Sequence, residues 1–91
     1  MTENQINIYG NQLEQDLIKA HGHLIGNKEL CRLLGFTNMA AFRQAIKREQ
    51  LPIPVFGMEN RRGKFALTKD IAAYLTQKRF EALEKIAEEK R

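Results

Sequence analysis

A mainly α-helical fold with one small β-hairpin is predicted by three observations. Apolar residues recur at helical spacing in four separate stretches. Pro52 and Pro54 exclude helix from the middle of the chain, because each lacks a backbone donor and pushes its predecessor into extended conformations. Turn-forming residues cut the remainder into short pieces, with no internal repeat and no Pro/Gly/Ser-rich linker. A chain of 91 residues, 43% of them apolar, has room for one shared core, so residues 1–91 read as a single domain.

The elements follow in order. Over residues 11–20, Leu13, Leu17 and Ile18 recur at helical spacing and His21-Gly22 supplies a stop, giving a scaffold helix within an N-terminal extension of residues 1–25. Asn27 is placed to cap a two-turn helix starting at Lys28, with Leu30, Leu33 and Leu34 on one face. Gly35 is free to take the left-handed conformation that ends it. After a turn of three or four residues, Thr37 or Asn38 caps a second helix running to about Glu49, so residues 27–50 have helix-turn-helix spacing.

Residues 52–67 read as a hairpin: residues 53–56 form an edge arm, residues 57–61 a polar tip, and residues 62–67 the second arm. Strand alternation puts Phe65 and Leu67 on the core face and leaves Arg62 and Lys64 outward. A hairpin in this position is a wing, which makes the whole a winged helix-turn-helix. Thr68 is placed to cap the last helix, in residues 68–91, with Asp70 in the first turn and Ile71, Ala72 and Leu75 facing inward. A helix over residues 69–89 spans about 30 Å, more than so small a domain covers, so its far end is expected to project. There Phe80, Leu83 and Ala87 continue an apolar stripe among charged neighbours, a surface expected to form a homodimer.

Charge is concentrated in the middle. Residues 26–69 carry nine Lys and Arg against three acids, whereas residues 1–25 carry one against three and residues 70–91 five against five. The net charge of +4 and the isoelectric point near 9.5 therefore come from the helix-turn-helix and wing, a local field suited to a polyanion.

On the second helix, Met39, Phe42, Ala45 and Ile46 cluster on one side, opposite Ala40, Arg43, Gln44, Lys47 and Arg48. Arg43 and Lys47 repel weakly in an isolated helix, a cost that phosphates reverse. Arg matches guanine O6 and N7, Gln matches adenine N6 and N7, and Ala40 permits close approach, so this face carries base-reading chemistry for the major groove. Beside the tip of the wing, Arg61, Arg62 and Lys64 are placed to follow phosphates or enter a minor groove. The same cations would also protect a sheet edge from aggregation, and both roles can coexist.

The string IGNKELCRLLGF, through AAFRQAIKREQLPIPVF, to RRGKFALTKDIAAYL resembles the excisionase-like and MerR-like winged-helix proteins of phages, plasmids and integrating elements, pyocin-activator proteins among them. The resemblance covers about two thirds of the chain and rests on the order of its elements, ending in the acidic-apolar opening Asp70-Ile71-Ala72. It implies a site-specific binder of double-stranded DNA, acting as transcriptional regulator or excisionase of a prophage or other mobile element. By position, Thr37, Asn38 and the residues up to Arg48 would supply groove contacts, and Arg61, Arg62 and Lys64 the wing contacts. The extra N-terminal helix and long C-terminal helix depart from compact excisionases and favour a symmetric dimer over a filament.

Other classes find less support in the residues. No phosphate-binding Gly loop, nucleophile elbow or pair of catalytic carboxylates is present, so the chain is not expected to be an enzyme and no cofactor is implied. His21 and His23 with Cys31 are too few and too far apart to predict a metal site, and a single Cys fits a reducing cytoplasm, where the DNA reading places the chain on the nucleoid. No signal peptide and no apolar run of membrane-spanning length is seen. The competing reading from another class is a protein-interaction adaptor that uses the Phe80, Leu83 and Ala87 stripe and turns its basic face to an acidic protein.

Overall fold

A computed structural model of the chain describes residues 2–89. Residues 1, 90 and 91, counted above in the domain and its C-terminal helix, lie outside the described residues. Four helices and one two-stranded antiparallel sheet make up the fold: α1 (Glu3–His21), β1 (Leu24–Gly26), α2 (Asn27–Leu33), α3 (Met39–Lys47), β2 (Phe65–Leu67) and α4 (Thr68–Glu89). The mainly helical class with a small antiparallel sheet matches the sequence expectation.

Helix α1 starts eight residues earlier than the apolar spacing predicts. Thr2 and Gln5 form a capping box, each side chain accepting from the other's backbone N–H at 3.2 Å, which satisfies two donors the helix start leaves open. Gly10 lies inside the helix at a propensity cost of roughly 1 kcal/mol relative to Ala. Its missing side chain brings α1 close to α4, since a Cβ there would lie 3.5 Å from the Thr76 hydroxyl.

The sheet pairs differently from the expected hairpin. β2 is joined to β1, with Leu24 opposite Leu67, Ile25 opposite Ala66 and Gly26 opposite Phe65. Residues 53–56 form no strand, because Pro54 within them and Pro52 before them cannot donate to a ladder; Phe56 bridges to Phe65, by reciprocal backbone hydrogen bonds of 2.9 and 2.8 Å. The core face of β2 is also one residue out of phase with the prediction. Ala66 is fully buried opposite buried Ile25, so alternation sends Leu67 outward, where it is 41% exposed, and leaves Phe65 half-buried.

Two of the three predicted caps act otherwise. Gly26, not Asn27, occupies the N-cap of α2; Asn27 takes a positive φ of 54° and donates its N–H to the Lys64 carbonyl at 3.1 Å. Thr68 lies fully buried with its hydroxyl donating to the Gly22 carbonyl at 2.6 Å and its N–H to the His23 carbonyl at 2.9 Å, so it joins the end of α1 to the start of α4. Asn38 does cap α3, its Oδ1 accepting from the Ala41 N–H at 2.8 Å, and α3 ends at Lys47, short of the expected Glu49. Gly35 takes φ 85° at the end of α2, as its position predicts.

Ile25, Leu30, Cys31, Phe42, Ala66 and Ile71 form the buried core, ringed by Leu17, Leu33, Phe36, Met39, Ile46 and Leu75. Every element contributes to this centre except the far halves of α1 and α4, which run antiparallel and cover each other. Phe80 and Tyr9 pack at right angles with ring centroids 5.6 Å apart, and the Arg79 guanidinium lies over the Tyr9 ring, 4.9 Å from its centroid. What projects is therefore a helix pair and not a lone helix, in a molecule measuring 51 × 26 × 17 Å.

Candidate nucleic-acid interface

Helix α3 is held against the core by Phe42 and Ala45, both buried, with Met39 and Ile46 half-buried beside them. Phe42 also packs on Phe36 from the preceding turn, at 5.6 Å between centroids, which fixes the angle at which α3 leaves α2. The thiol of buried Cys31 faces the carbonyl of Asn38 at 3.5 Å, so the turn of residues 34–38 is tied down from inside. With one side so anchored, helical geometry sends Ala40, Arg43, Gln44, Lys47 and Arg48 to the surface, and all five are exposed.

Thr37 and Asn38 are also exposed at the start of α3, but Asn38 spends its carbonyl oxygen on the cap, leaving its NH2 group as the free donor. Arg61, Arg62 and Lys64 are exposed on the loop that precedes β2. The base of that loop is fastened twice, by the Phe56–Phe65 bridge and by the Asn27 N–H on the Lys64 carbonyl. Its tip turns through Met58 and Arg61, whose backbone groups bond at 3.2 Å. The loop thus rises from the same sheet edge that begins α2.

Electrostatically these cations are uncommitted. Among the described residues the ion pairs are Glu29–Arg32 and Lys78–Glu81, so none of Arg43, Lys47, Arg48, Arg61, Arg62 and Lys64 is neutralised by a carboxylate contact. Exposed and unpaired, they can donate to an external anion without first breaking an internal bond.

The remaining predicted site residues lie on α4. Phe80 is half-buried against Tyr9, Leu83 is half-buried, and Ala87 is exposed. Of the apolar stripe, Phe80 is therefore engaged within the chain. Sequence reading missed a neighbouring feature: an open groove of about 430 Å³ between α1 and α4, floored by Gly10, Ala73 and Thr76. Its signal was the spacing Lys69, Ala73, Thr76, Phe80, Glu84 on α4, which mixes polar and apolar residues and so does not stand out by hydropathy.

Among the described residues, no helix is long and apolar enough to cross a membrane, and no group of three or more His, Cys, Asp and Glu is placed to hold a metal ion. No protein-family model matches the chain, and no curated protein or solved structure is detectably similar to it.

Proposed function

We propose that this chain binds double-stranded DNA at specific sites as a winged helix-turn-helix protein. In this reading α2 and α3 are the helix-turn-helix, α3 enters the major groove, and the loop of residues 57–64 is the wing that meets phosphates or the minor groove. The observation that carries it is the exposed face of α3: Arg43, Gln44, Lys47 and Arg48, free of carboxylate partners among the described residues, on a helix anchored by Phe42 and Ala45. Arg43 and Gln44 offer the bidentate donors and acceptors that read base edges, whereas Lys47, Arg48 and the loop cations supply phosphate contacts.

The biological role that fits the resemblance is regulation of transcription, or bending of recombination-site DNA to direct excision, in a prophage or other mobile element. Selection of bound duplexes from a random pool, followed by competition titration, tests the proposal. Preference for a selected site over unrelated duplex by about a thousandfold or more supports it. Sequence-blind binding, or no binding at low ionic strength, rejects it. Footprints beside a promoter separate the regulator from the excisionase, whose sites flank an integrase crossover.

A further inference from the structure

The groove between α1 and α4 carries a charge opposite to that of the molecule. The chain is +4 overall, yet the groove is lined by Glu14, Glu81 and Glu84 against Lys69 alone. Glu81 is held by Lys78 at 3.4 Å, whereas neither Glu14 nor Glu84 has an ion-pair partner among the described residues. Between these acids the lining is apolar at Ile6, Ala73 and the half-buried Phe80. Carboxylates of this kind repel phosphates, so the groove and the basic face of α3 suit partners of opposite charge.

The placing of the acids defines what fits there. Gly10 abuts Thr76 and the two helices run antiparallel, so Glu14, about one turn farther along α1, is level with Ala72 and Ala73. From that level to Glu84 is about eleven residues of α4, or roughly 17 Å. A helix laid along the groove with Lys or Arg about three turns apart sets one cation against each of these two carboxylates. Its apolar residues then fall on Ala73, which is exposed and too small to hold a helix off, and on Phe80. An amphipathic helix with its apolar face in a groove is a recurrent mode of recognition.

We infer that this groove docks a basic amphipathic helix of a partner protein, its cations held by Glu14 and Glu84. The docking site lies on α1 and α4, off the basic face of α3, and does not depend on DNA binding. Nuclear magnetic resonance titration of the isotope-labelled full chain, read at the backbone amides of Ala73 and Gln77, tests it with two synthetic helical peptides. Both carry the same Leu and Ala face; one is flanked by Lys about three turns apart, the other by Glu at the same positions. The Lys peptide is expected to shift the groove amides with a dissociation constant on the order of 10–100 μM. The Glu peptide, which the net charge of +4 favours in general, is expected to bind at those amides more weakly by about tenfold or more. Glu14→Gln with Glu84→Gln, checked for native helicity by circular dichroism, is expected to weaken the Lys peptide by roughly three- to tenfold. Ala73→Lys, on exposed helix surface, is expected to do the same by filling the groove with bulk and like charge. Equal shifts by both peptides, indifference to these substitutions, or no shift of the groove amides at about 1 mM Lys peptide overturns the assignment. Spermidine matching the Lys peptide at equal concentration also overturns it, in favour of a site for small cations.

Discussion

Arg43 and Asn38 lie five residues apart on one exposed edge, yet their substitution has separable consequences. Asn38 holds the start of α3 through its bond to the Ala41 N–H, so Asn38→Ala is expected to lower stability by about 1 kcal/mol, read as a lower denaturant midpoint. Arg43 makes no ion pair with an acid among the described residues, so its removal is expected to leave the fold alone. On a preferred duplex, Arg43→Ala is expected to lose roughly 1–3 kcal/mol of binding and to relax discrimination at one base position. Equal weakening on all sequences would reassign it to a phosphate. Thr68 supplies the third residue-scale case. Thr68→Val keeps the buried shape but removes the hydrogen bond to Gly22, a loss of about 1 kcal/mol that shifts the thermal midpoint down by roughly 4–8 °C in a domain this size. An unchanged midpoint would deny Thr68 its part in joining α1 to α4.

At the scale of elements, the proposed wing is a loop held at its base, and the contribution expected of it to DNA binding is electrostatic. Replacing Arg61 and Arg62 together by Ala is expected to flatten the dependence of log affinity on log salt by about one or two phosphate equivalents; an unaltered slope would remove the loop from the interface. Gly63 sets its position: at φ 90° and packed against the Asn27 amide, it has no room for a Cβ. The face of α3 was readable from sequence because an amphipathic helix declares both sides at once, Phe42 and Ala45 inward and Arg43 and Lys47 outward. The strand pairing was not. β1 is three residues long with no alternation to see, and its partner lies some forty residues away in sequence. Local reading therefore assigned β2 to the nearer arm and put Leu67 inside, where the small Ala66 belongs. Thr68 and Asn27 both stood where a cap is ordinarily found, but the Thr68 hydroxyl is claimed by the Gly22 carbonyl, and Asn27, at φ 54° with its N–H on the Lys64 carbonyl, lies inside the helix whose N-cap is the extended Gly26.

For the whole molecule, the consequential finding is that α1 extends back to Glu3 and covers the far half of α4. Helix length alone predicts that the far end of α4 projects on its own; the Tyr9–Phe80 contact instead ties that end to the other end of the chain. Truncation after Gln77 uncovers Tyr9 and the half-buried Ile6 beside the groove, so it is expected to lower the denaturant midpoint as well as change any self-association. A double-mutant cycle isolates the cause. Tyr9→Ala and Phe80→Ala are each expected to destabilise, and because the rings meet edge to face their coupling should be about 0.5–1.5 kcal/mol. Neither ring belongs to the core that carries α3, which is built from Ile25, Leu30, Phe42 and Ile71. Under conditions where both chains are folded, the truncated form should therefore select the same DNA sequences as the full chain, even where its affinity falls. A changed sequence preference would mean that the helix pair sets the angle of α3, and that scaffold and reading face are one mechanical unit.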